Sequence, residues 1–350
     1  MRLPLYKEGM EQLTIRFGAS VRTVEVEDAM LRFYKDSRRA DSVCFDFSVV
    51  QWCETPELSL IVLWICDLVD LRKRISFLLP SEEPLAQEKN TPLDEAQRKI
   101  LNRINAYSYL VQTRFVEFLL NQQIIEQKGI DGRQSTRKAK PIEDRIAPFV
   151  FFSGAEDLSD FIRTLRGPQY QSQFASVAGV QPVQTGEIRD IILQELGQNI
   201  FDHGAGRFGH LVMTNKSPIG HLDGSPPAAV HYTSAPLFTG KFFAKLGSSV
   251  YLMVVVADKG PGIRKTLLKA YLADKIITDK KDKPTEVDIV NYAFLRHSTS
   301  KTREERLGAL QQYLEHDSDL GPPTGLFSVM QVVKDYNGLL VVRSGRSLIA

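Results

Sequence analysis

Residues 185–204 read TGEIRDIILQELGQNIFDHG, and the fold predicted for the second part of the chain depends mainly on them. A threonine in an N-cap position and a closing glycine bound a predicted helix. Isoleucines supply its apolar face, and in an α-helix Ile188, Ile192, Glu195 and Asn199 lie along one stripe. A carboxylate and a carboxamide are therefore expected side by side on a face that is otherwise buried.

A glutamate and an asparagine on such a face need a partner, because an unpaired buried charge is expensive. A Mg²⁺ ion carrying a phosphate chain would supply one, since the carboxamide oxygen of Asn199 is a hard neutral ligand. Glu195 could then polarise a water for attack on phosphorus. Asp202 and His203 extend the polar end of the helix by one turn. Taken alone, the pair is more simply explained as the solvated side of a helix.

A second pattern follows a β-branched run at residues 250–263, VYLMVVVADKGPGI. It predicts a buried strand that ends in D-x-G-x-G, with Asp258, Gly260 and Gly262 in the turn. A carboxylate at a strand end can accept a hydrogen bond from an exocyclic amine, and glycines let the backbone approach a flat ring. This combination favours adenine over guanine.

A third pattern, DLGPPTGLFSVMQVVK at residues 319–334, predicts a glycine loop that opens an apolar-faced helix. Loop amides at a helix N-terminus form a cradle for phosphate. Asn337-Gly338 then predicts a turn into a strand at Leu339–Arg343. The polar stretch HSTSKT at 297–302 would suit a mobile lid whose hydroxyls and lysine reach phosphates.

E-x-x-x-N on a helix, D-x-G-x-G after a strand and a glycine loop opening a helix, in this order, resemble the GHKL ATPase superfamily over roughly residues 145–350. QELGQNIFDHG is most similar to its histidine-kinase and anti-sigma serine-kinase branches. The resemblance implies that Glu195 is the general base, Asn199 binds Mg²⁺, and Asp258 binds adenine between Gly260 and Gly262. The further ATP contacts that it implies come from Asp202, His203, Ile263, Thr299, Ser300, Lys301, Gly321, Thr324, Gly325 and Leu326.

The chain departs from that superfamily at three places. Pro323 stands where the glycine loop usually has its middle glycine, which removes one phosphate-facing N–H. A long insertion at about 217–247 separates the first two patterns. The chain also ends soon after the strand at Leu339–Arg343, where the superfamily usually adds another, so either the protein continues beyond Ala350 or that sheet edge is completed differently.

The N-terminal third predicts a strand at 42–50, a helix opened by Pro56 and a strand at 75–79, which together form a crossover unit. The apolar face predicted for this helix consists of Leu58, Ile61, Val62, Ile65, Leu68 and Val69. This part is similar to STAS domains such as anti-sigma-factor antagonists. Those carry an acidic residue and a phosphorylatable serine at the start of this helix. Here Glu54 and Thr55 lie nearby, but the acceptor position is Pro56, so a scaffold or docking role is expected. A long helix is predicted over 93–127.

The predicted fold class is therefore α/β and α+β. A small STAS-like α/β domain with a helical extension is expected at 1–130, a basic linker at 131–144, and a GHKL (Bergerat) α/β sandwich with helices on one face of a mixed sheet at 145–350. The linker's basic residues could touch an anionic partner, although a solvated linker is the simpler explanation.

Composition excludes several classes of protein. The 350 residues carry 44 Lys+Arg against 42 Asp+Glu, a net charge of +2, which makes nucleic acid an unexpected partner. Three cysteines without a C-x-x-C pair argue against a disulfide framework or a zinc site. The sequence has no apolar run of membrane-spanning length and no signal core at its start. A cytoplasmic protein without a membrane partner is expected.

Three functions remain open from the sequence. The first is a slow ATPase or ATP-gated switch that signals nucleotide state to a protein partner. The second is an anti-sigma-type protein serine/threonine kinase that works by partner switching, with a STAS-like or other regulatory protein as its target. The third is a non-catalytic nucleotide-sensing or dimerisation module, in which Pro323 has spoiled the phosphate cradle and the chain forms a homodimer.

Overall fold

The computed structural model divides into two compact units along the chain. The first comprises Met1–Phe149, Val212–Pro236 and Gly247–Val255, and the second comprises Val150–Leu211, Leu237–Leu246 and Val256–Ala350. The structure describes residues 12–19, 21–37, 39–50, 53, 55–80, 106–122, 146–152, 154–166, 175, 185–203, 209–216, 251–274, 283–295, 325–344 and 347–349. The predicted linker at 131–144 and the insertion at 217–247 lie outside these residues.

Three parallel strands form the first sheet, in the order β1-β2-β3. Its elements are β1 (Gln12–Arg16), helix α1 (Thr23–Arg32) with a π-helical continuation (Phe33–Ser37), β2 (Ser42–Asp46), helix α2 (Thr55–Asp70) and β3 (Arg74–Leu78). The predicted strand, helix, strand unit is confirmed as β2-α2-β3, and Phe45 of β2 pairs in register with Phe77 of β3.

Helix α2 supplies much of this unit's core because its apolar residues recur every three or four positions. Leu58, Ile61, Ile65 and Leu68 are fully buried, and Trp64 packs edge-on against Phe45 at 5.1 Å between ring centroids. Each such side chain contributes about 1.5–3 kcal/mol through burial. The C-terminal end of the predicted apolar face is wrong by one residue, since Val69 is 42% exposed.

Strand β2 is shorter than the predicted 42–50. It ends at Asp46 because the backbone N–H and the hydroxyl of Ser48 both donate to Asp46 Oδ1, at 3.1 and 2.6 Å. This local bonding turns the chain away from the sheet. These two bonds, followed by the attraction of Arg16, hold the pKa of Asp46 below its ordinary value, with burial opposing them.

The predicted helix over 93–127 is interrupted in its described part. The structure has helix α3 (Ala106–Gln112) and helix α4 (Phe115–Asn121), separated at Arg114, whose φ is +61°. The break follows from Thr113, whose carbonyl accepts the Phe149 N–H at 3.0 Å instead of continuing the helical ladder. Tyr109, Leu110, Phe115 and Leu119 are buried, so this face of the two helices belongs to a core.

The remaining elements of the described residues are five strands and six α-helices with one π-helical segment. They are β4 (Ile146–Phe152), α5 (Ala155–Arg166), α6 (Thr185–Glu187), a π-helical segment (Ile188–Leu193), α7 (Gln194–His203), β5 (Gly209–Lys216), β6 (Tyr251–Asp258), α8 (Ile263–Ala273), α9 (Glu286–Ala293), α10 (Leu326–Asp335), β7 (Val342–Ser344) and β8 (Ser347–Ile349). One sheet has the order β4-β5-β6, and β7 pairs antiparallel with β8. Strand β8 therefore follows β7, which overlaps the strand predicted at Leu339–Arg343. The mixed α/β class is confirmed.

Among the residues that the structure describes, no helix combines the length and the apolar character needed to cross a membrane.

Candidate functional site

Glu195 and Asn199 lie one turn apart on helix α7. The predicted helix over residues 185–203 is confirmed as a continuous helical stretch, but Ile188–Leu193 forms a π-helical segment within it. A π-turn holds one more residue than an α-turn, and one residue rotates a helix by about 100°. The π-helical turns change the angular spacing within residues 188–193, so the α-helical stripe predicted from Ile188 does not hold across this segment.

Two buried side chains and one ion pair hold the π-helical segment in place. Ile188 and Leu193 are buried, whereas Ile192 is only half-buried. Arg189 and Asp190 form a two-pronged ion pair with N···O distances of 2.7 and 2.5 Å, and their side chains are only 11% and 10% exposed. Segments of this kind occur frequently at functional sites.

The opposite face of α7 packs tightly on its neighbours. Gly197 lies against Leu158 of α5, where a Cβ would approach a methyl carbon to 2.5 Å. Ile200 packs against Gly209 of β5. On an α-helix, Gly197 points about 180° away from the midpoint of Glu195 and Asn199. The close packing behind the helix therefore fixes which way the polar pair faces.

The carboxamide nitrogen of Asn199 is buried and has no hydrogen-bond partner among the described residues. Leaving such a group unsatisfied costs about 1–3 kcal/mol, so a buried orphan of this kind indicates a missing partner. Rotation about the Cβ–Cγ bond exchanges the two carboxamide atoms, which lets the same position present oxygen to a cation. As placed, the N–H donor needs an acceptor, which an anionic oxygen such as that of a phosphate would provide, whereas only the rotated side chain would face a cation.

Asp202 and His203 occupy the last turn of α7, and their side chains lie outside the described part. Of the polar end predicted for this helix, only Glu195 and Asn199 can be placed in detail, and both are half-buried.

Asp258 is the final residue of β6, as predicted. Its carboxylate accepts the backbone N–H of Gly260, which lowers its pKa, but desolvation by the surrounding groups has the larger effect and raises that pKa above the ordinary value. Gly262 has φ +81°, a conformation that favours glycine. The D-x-G-x-G turn is thus held by the hydrogen bond to the Asp258 carboxylate and by the positive φ of Gly262.

Ser344, which sequence reasoning missed, holds the far end of this turn. Its hydroxyl oxygen accepts the backbone N–H of Ile263 at 2.8 Å, and its side chain is buried. No local sequence pattern could have found it, because Ser344 lies 81 residues beyond Ile263.

Gly325, with φ +64°, precedes helix α10, and its carbonyl accepts the N–H of Ser328 at 3.1 Å. Leu326, the first residue of α10, packs on an apolar cluster in which α8 and α9 meet, and Ile263 packs on the same cluster. The cluster consists of Leu267, Tyr271, Ile289, Tyr292 and Ala293.

Helix α10 also contacts α7 and the π-helical segment. The second unit therefore joins the helix of Glu195 and Asn199, the helix opened by Gly325, and the start of the helix that follows the Asp258 turn. Five predicted phosphate contacts lie outside the described residues: Thr299, Ser300, Lys301, Gly321 and Thr324. Pro323 lies outside them too.

In the first unit, the residues beside the position expected for a STAS phosphoacceptor are buried. Thr55 is fully buried, and its hydroxyl shares a 2.6 Å hydrogen bond with Tyr109 of α3. Glu57, on the same first turn of α2, is 2% exposed and accepts the Thr23 hydroxyl at 2.6 Å. Glu54 lies outside the described residues. Thr55 is therefore not accessible for modification in this conformation.

The chain matches no model of a known protein family, no curated protein and no solved structure.

Proposed function

We propose that the second unit has the Bergerat fold, binds ATP with Mg²⁺, and works as a slow ATPase or ATP-gated switch acting on a protein partner. The observation that carries this proposal is the buried Asn199 carboxamide nitrogen, which has no partner among the described residues. It lies on a helix that contacts α10, the helix opened by the glycine loop.

Adenine recognition is assigned to the turn after β6. The Asp258 carboxylate accepts the Gly260 N–H and retains further lone pairs for the exocyclic amine of adenine. Guanine presents an oxygen at the corresponding position, and two acceptors facing each other repel. The turn would therefore prefer adenine to guanine, because the Asp258 carboxylate accepts from an amine and repels an oxygen.

Phosphate recognition is assigned to the start of α10. Gly325 provides no side chain to cap this ten-residue helix. The N–H groups of Leu326 and Phe327 at its start would donate to a phosphate, where the helix dipole favours negative charge.

Asn199 and Glu195 are assigned to the metal and the water. The Asn199 oxygen would hold Mg²⁺, which when bound would neutralise charge on the triphosphate. Glu195, one turn earlier on the same face, would take the proton of the attacking water. Helix α10 contacts α7 and the π-helical segment, so phosphate binding at the start of α10 would be sensed by the helix that carries Glu195 and Asn199.

Phosphoryl transfer to a STAS-like or other regulatory partner is the second candidate. In this chain Pro56 occupies the position of the STAS phosphoacceptor, and the neighbouring Thr55 is fully buried and bonded to Tyr109, so the acceptor is expected on a partner. Labelled γ-phosphate ATP separates the two candidates. Label released as phosphate supports the ATPase, and label retained on a partner supports the kinase.

The test is a titration of the full chain with ATP, with and without Mg²⁺, followed by calorimetry and by thermal shift. Ligand at a hundredfold excess over Kd stabilises a protein by about 2.7 kcal/mol. We expect Asn199→Ala to weaken Mg²⁺-dependent binding about 10- to 100-fold, the worth of a contact to a charged group. Glu195→Gln should retain binding and lose about 10²- to 10⁴-fold in turnover.

Gln194→Ala is the matched control, since Gln194 is exposed and adjacent to Glu195 on a different face of α7. It should bind and hydrolyse ATP like the wild type. A wild type that neither binds ATP nor is stabilised by it would refute the proposal and favour a non-catalytic dimerisation module. Equal turnover in wild type and Glu195→Gln would remove Glu195 as the base.

A further inference from the structure

We propose that Ser344 is a positioning residue that holds the Asp258–Ile263 turn in the shape required for adenine. This inference rests on the proposed nucleotide site and adds a residue to it. Its basis is the 2.8 Å hydrogen bond from the Ile263 N–H to the Ser344 hydroxyl, which connects the start of α8 to strand β7.

The hydrogen bond satisfies a helix-start N–H that an ordinary N-cap side chain does not reach. A serine, threonine, aspartate or asparagine in the N-cap position accepts the N–H of the second or third helical residue. Here the N-cap position is Gly262, which makes no side-chain cap, and Ile263 is the first helical residue. Ser344 accepts the N–H of Ile263 from a distant part of the chain. Because Ser344 is 6% exposed, water has little room to take its place.

Gly262 and Ser344 are fitted to each other. A Cβ on Gly262 would lie 3.1 Å from the Ser344 hydroxyl oxygen, closer than ordinary van der Waals contact. The φ of +81° at Gly262 carries a further penalty for any side chain. Glycine at position 262 therefore allows both the positive φ of the turn and the close approach of the Ser344 hydroxyl.

The turn is thereby held at both ends. At one end the Gly260 N–H bonds to the Asp258 carboxylate, and at the other the Ile263 N–H bonds to Ser344. Loss of the Ser344 acceptor frees the backbone between these two points. The carboxylate that selects the base then loses its fixed direction, while the phosphate end at α10 keeps its own amides. Loss of Ser344 should therefore weaken the preference for adenine over guanine.

The test compares Ser344→Thr with Ser344→Val in the full chain. The two variants have nearly the same shape, and only threonine retains the hydroxyl. We measure the affinities of each protein for Mg·ATP and Mg·GTP, and the hydrogen exchange of the Ile263 amide without nucleotide.

We expect Ser344→Val to bind ATP about tenfold more weakly, the value of one hydrogen bond, with little change for GTP. Its ATP-to-GTP preference should therefore narrow, and its Ile263 amide should exchange faster. Ser344→Thr should keep the wild-type preference and exchange rate.

An unchanged ATP-to-GTP ratio in Ser344→Val would overturn the positioning role, as would equal loss of both nucleotides, which indicates general destabilisation. If the wild type binds neither nucleotide while the exchange difference persists, the nucleotide site is refuted and only the capping contact stands. Identical exchange in the valine and threonine variants would refute the contact itself.

Discussion

Gly197 of α7 lies directly against Leu158 of α5, and a Cβ on Gly197 would come within 2.5 and 2.8 Å of the two methyl carbons of Leu158. Real Cβ atoms do not approach carbon so closely, so a side chain here would force Leu158, which is 2% exposed, to move within the core. Because the opposite face of α7 carries Glu195 and Asn199, this contact sets the depth at which that pair sits.

Gly197→Ala should destabilise the second unit. Overpacking typically costs about 1–3 kcal/mol, which exceeds the helix-propensity gain of about 1 kcal/mol for replacing glycine with alanine. Denaturant unfolding followed by hydrogen exchange of the α5 and α7 amides measures the effect. Gly186→Ala is the control, because its nearest neighbour is the flexible end of Arg189 at 3.9 Å.

Leu158→Ala combined with Gly197→Ala should recover part of the loss, giving a destabilisation smaller than the sum of the two single variants. Strict additivity would contradict the steric explanation.

The hydrogen bond between Thr55 and Tyr109 connects the start of α2 to α3. We expect Thr55→Val and Tyr109→Phe each to lower the free energy of unfolding by about 1–3 kcal/mol, because each leaves a buried hydroxyl without this partner. The double variant should show a coupling of about 1 kcal/mol in a thermodynamic cycle. A coupling of zero would mean that α3 does not depend on this contact.

The sequence was sufficient to predict elements whose local pattern and burial agree. Strand β6 was predicted because an uninterrupted β-branched run leads to Asp258, and α2 because its apolar residues keep helical spacing from Leu58 to Leu68. Gly262 was singled out for close approach of the backbone to a ring and Gly325 as a phosphate contact, and the structure adds that both have positive φ. In these cases, the information lies within about one turn of the residue concerned.

The features that were not predicted depend on distant residues. The break at Arg114 follows from a bond between Thr113 and Phe149, and the turn at Gly262 is completed by Ser344. The π-helical segment before Glu195 has no signature in hydrophobic spacing, because its isoleucines fit an α-helix equally well. ATP and Mg²⁺ binding, inferred from the motif order, remain predictions.

Asp258 should give opposite pH dependences for stability and for ligand affinity. Desolvation raises its folded-state pKa above the unfolded value of 3.8, so the native protein binds a proton more readily than the unfolded chain. In the window between these two pKa values, stability therefore falls as pH rises. Asp258→Asn removes this cost and should be more stable than the wild type at neutral pH, with the difference shrinking as pH falls.

Affinity for ATP should change the other way, since a protonated Asp258 cannot accept from adenine with the same strength. Wild-type affinity should fall as pH falls toward the raised pKa, and Asp258→Asn should bind weakly at every pH. Parallel pH profiles for wild type and Asp258→Asn, in denaturation and in calorimetry, would contradict the role of the carboxylate.

His210 in strand β5 should make the second unit sensitive to acid. Full burial lowers its pKa from 6.5 to about 3, so it stays neutral in the native protein where the unfolded chain would protonate it. Between those two values the unfolded state binds more protons, and stability falls as pH falls. His210→Gln cannot take up this proton, so its unfolding free energy should vary less between pH 7 and about 4, even if its stability at pH 7 is lower. Nuclear magnetic resonance should show one imidazole, near the ring of Phe151 at 6.0 Å, that does not titrate through this range. A His210 signal that titrates near pH 6.5 in the folded protein would show that the side chain is accessible to water and would overturn this prediction.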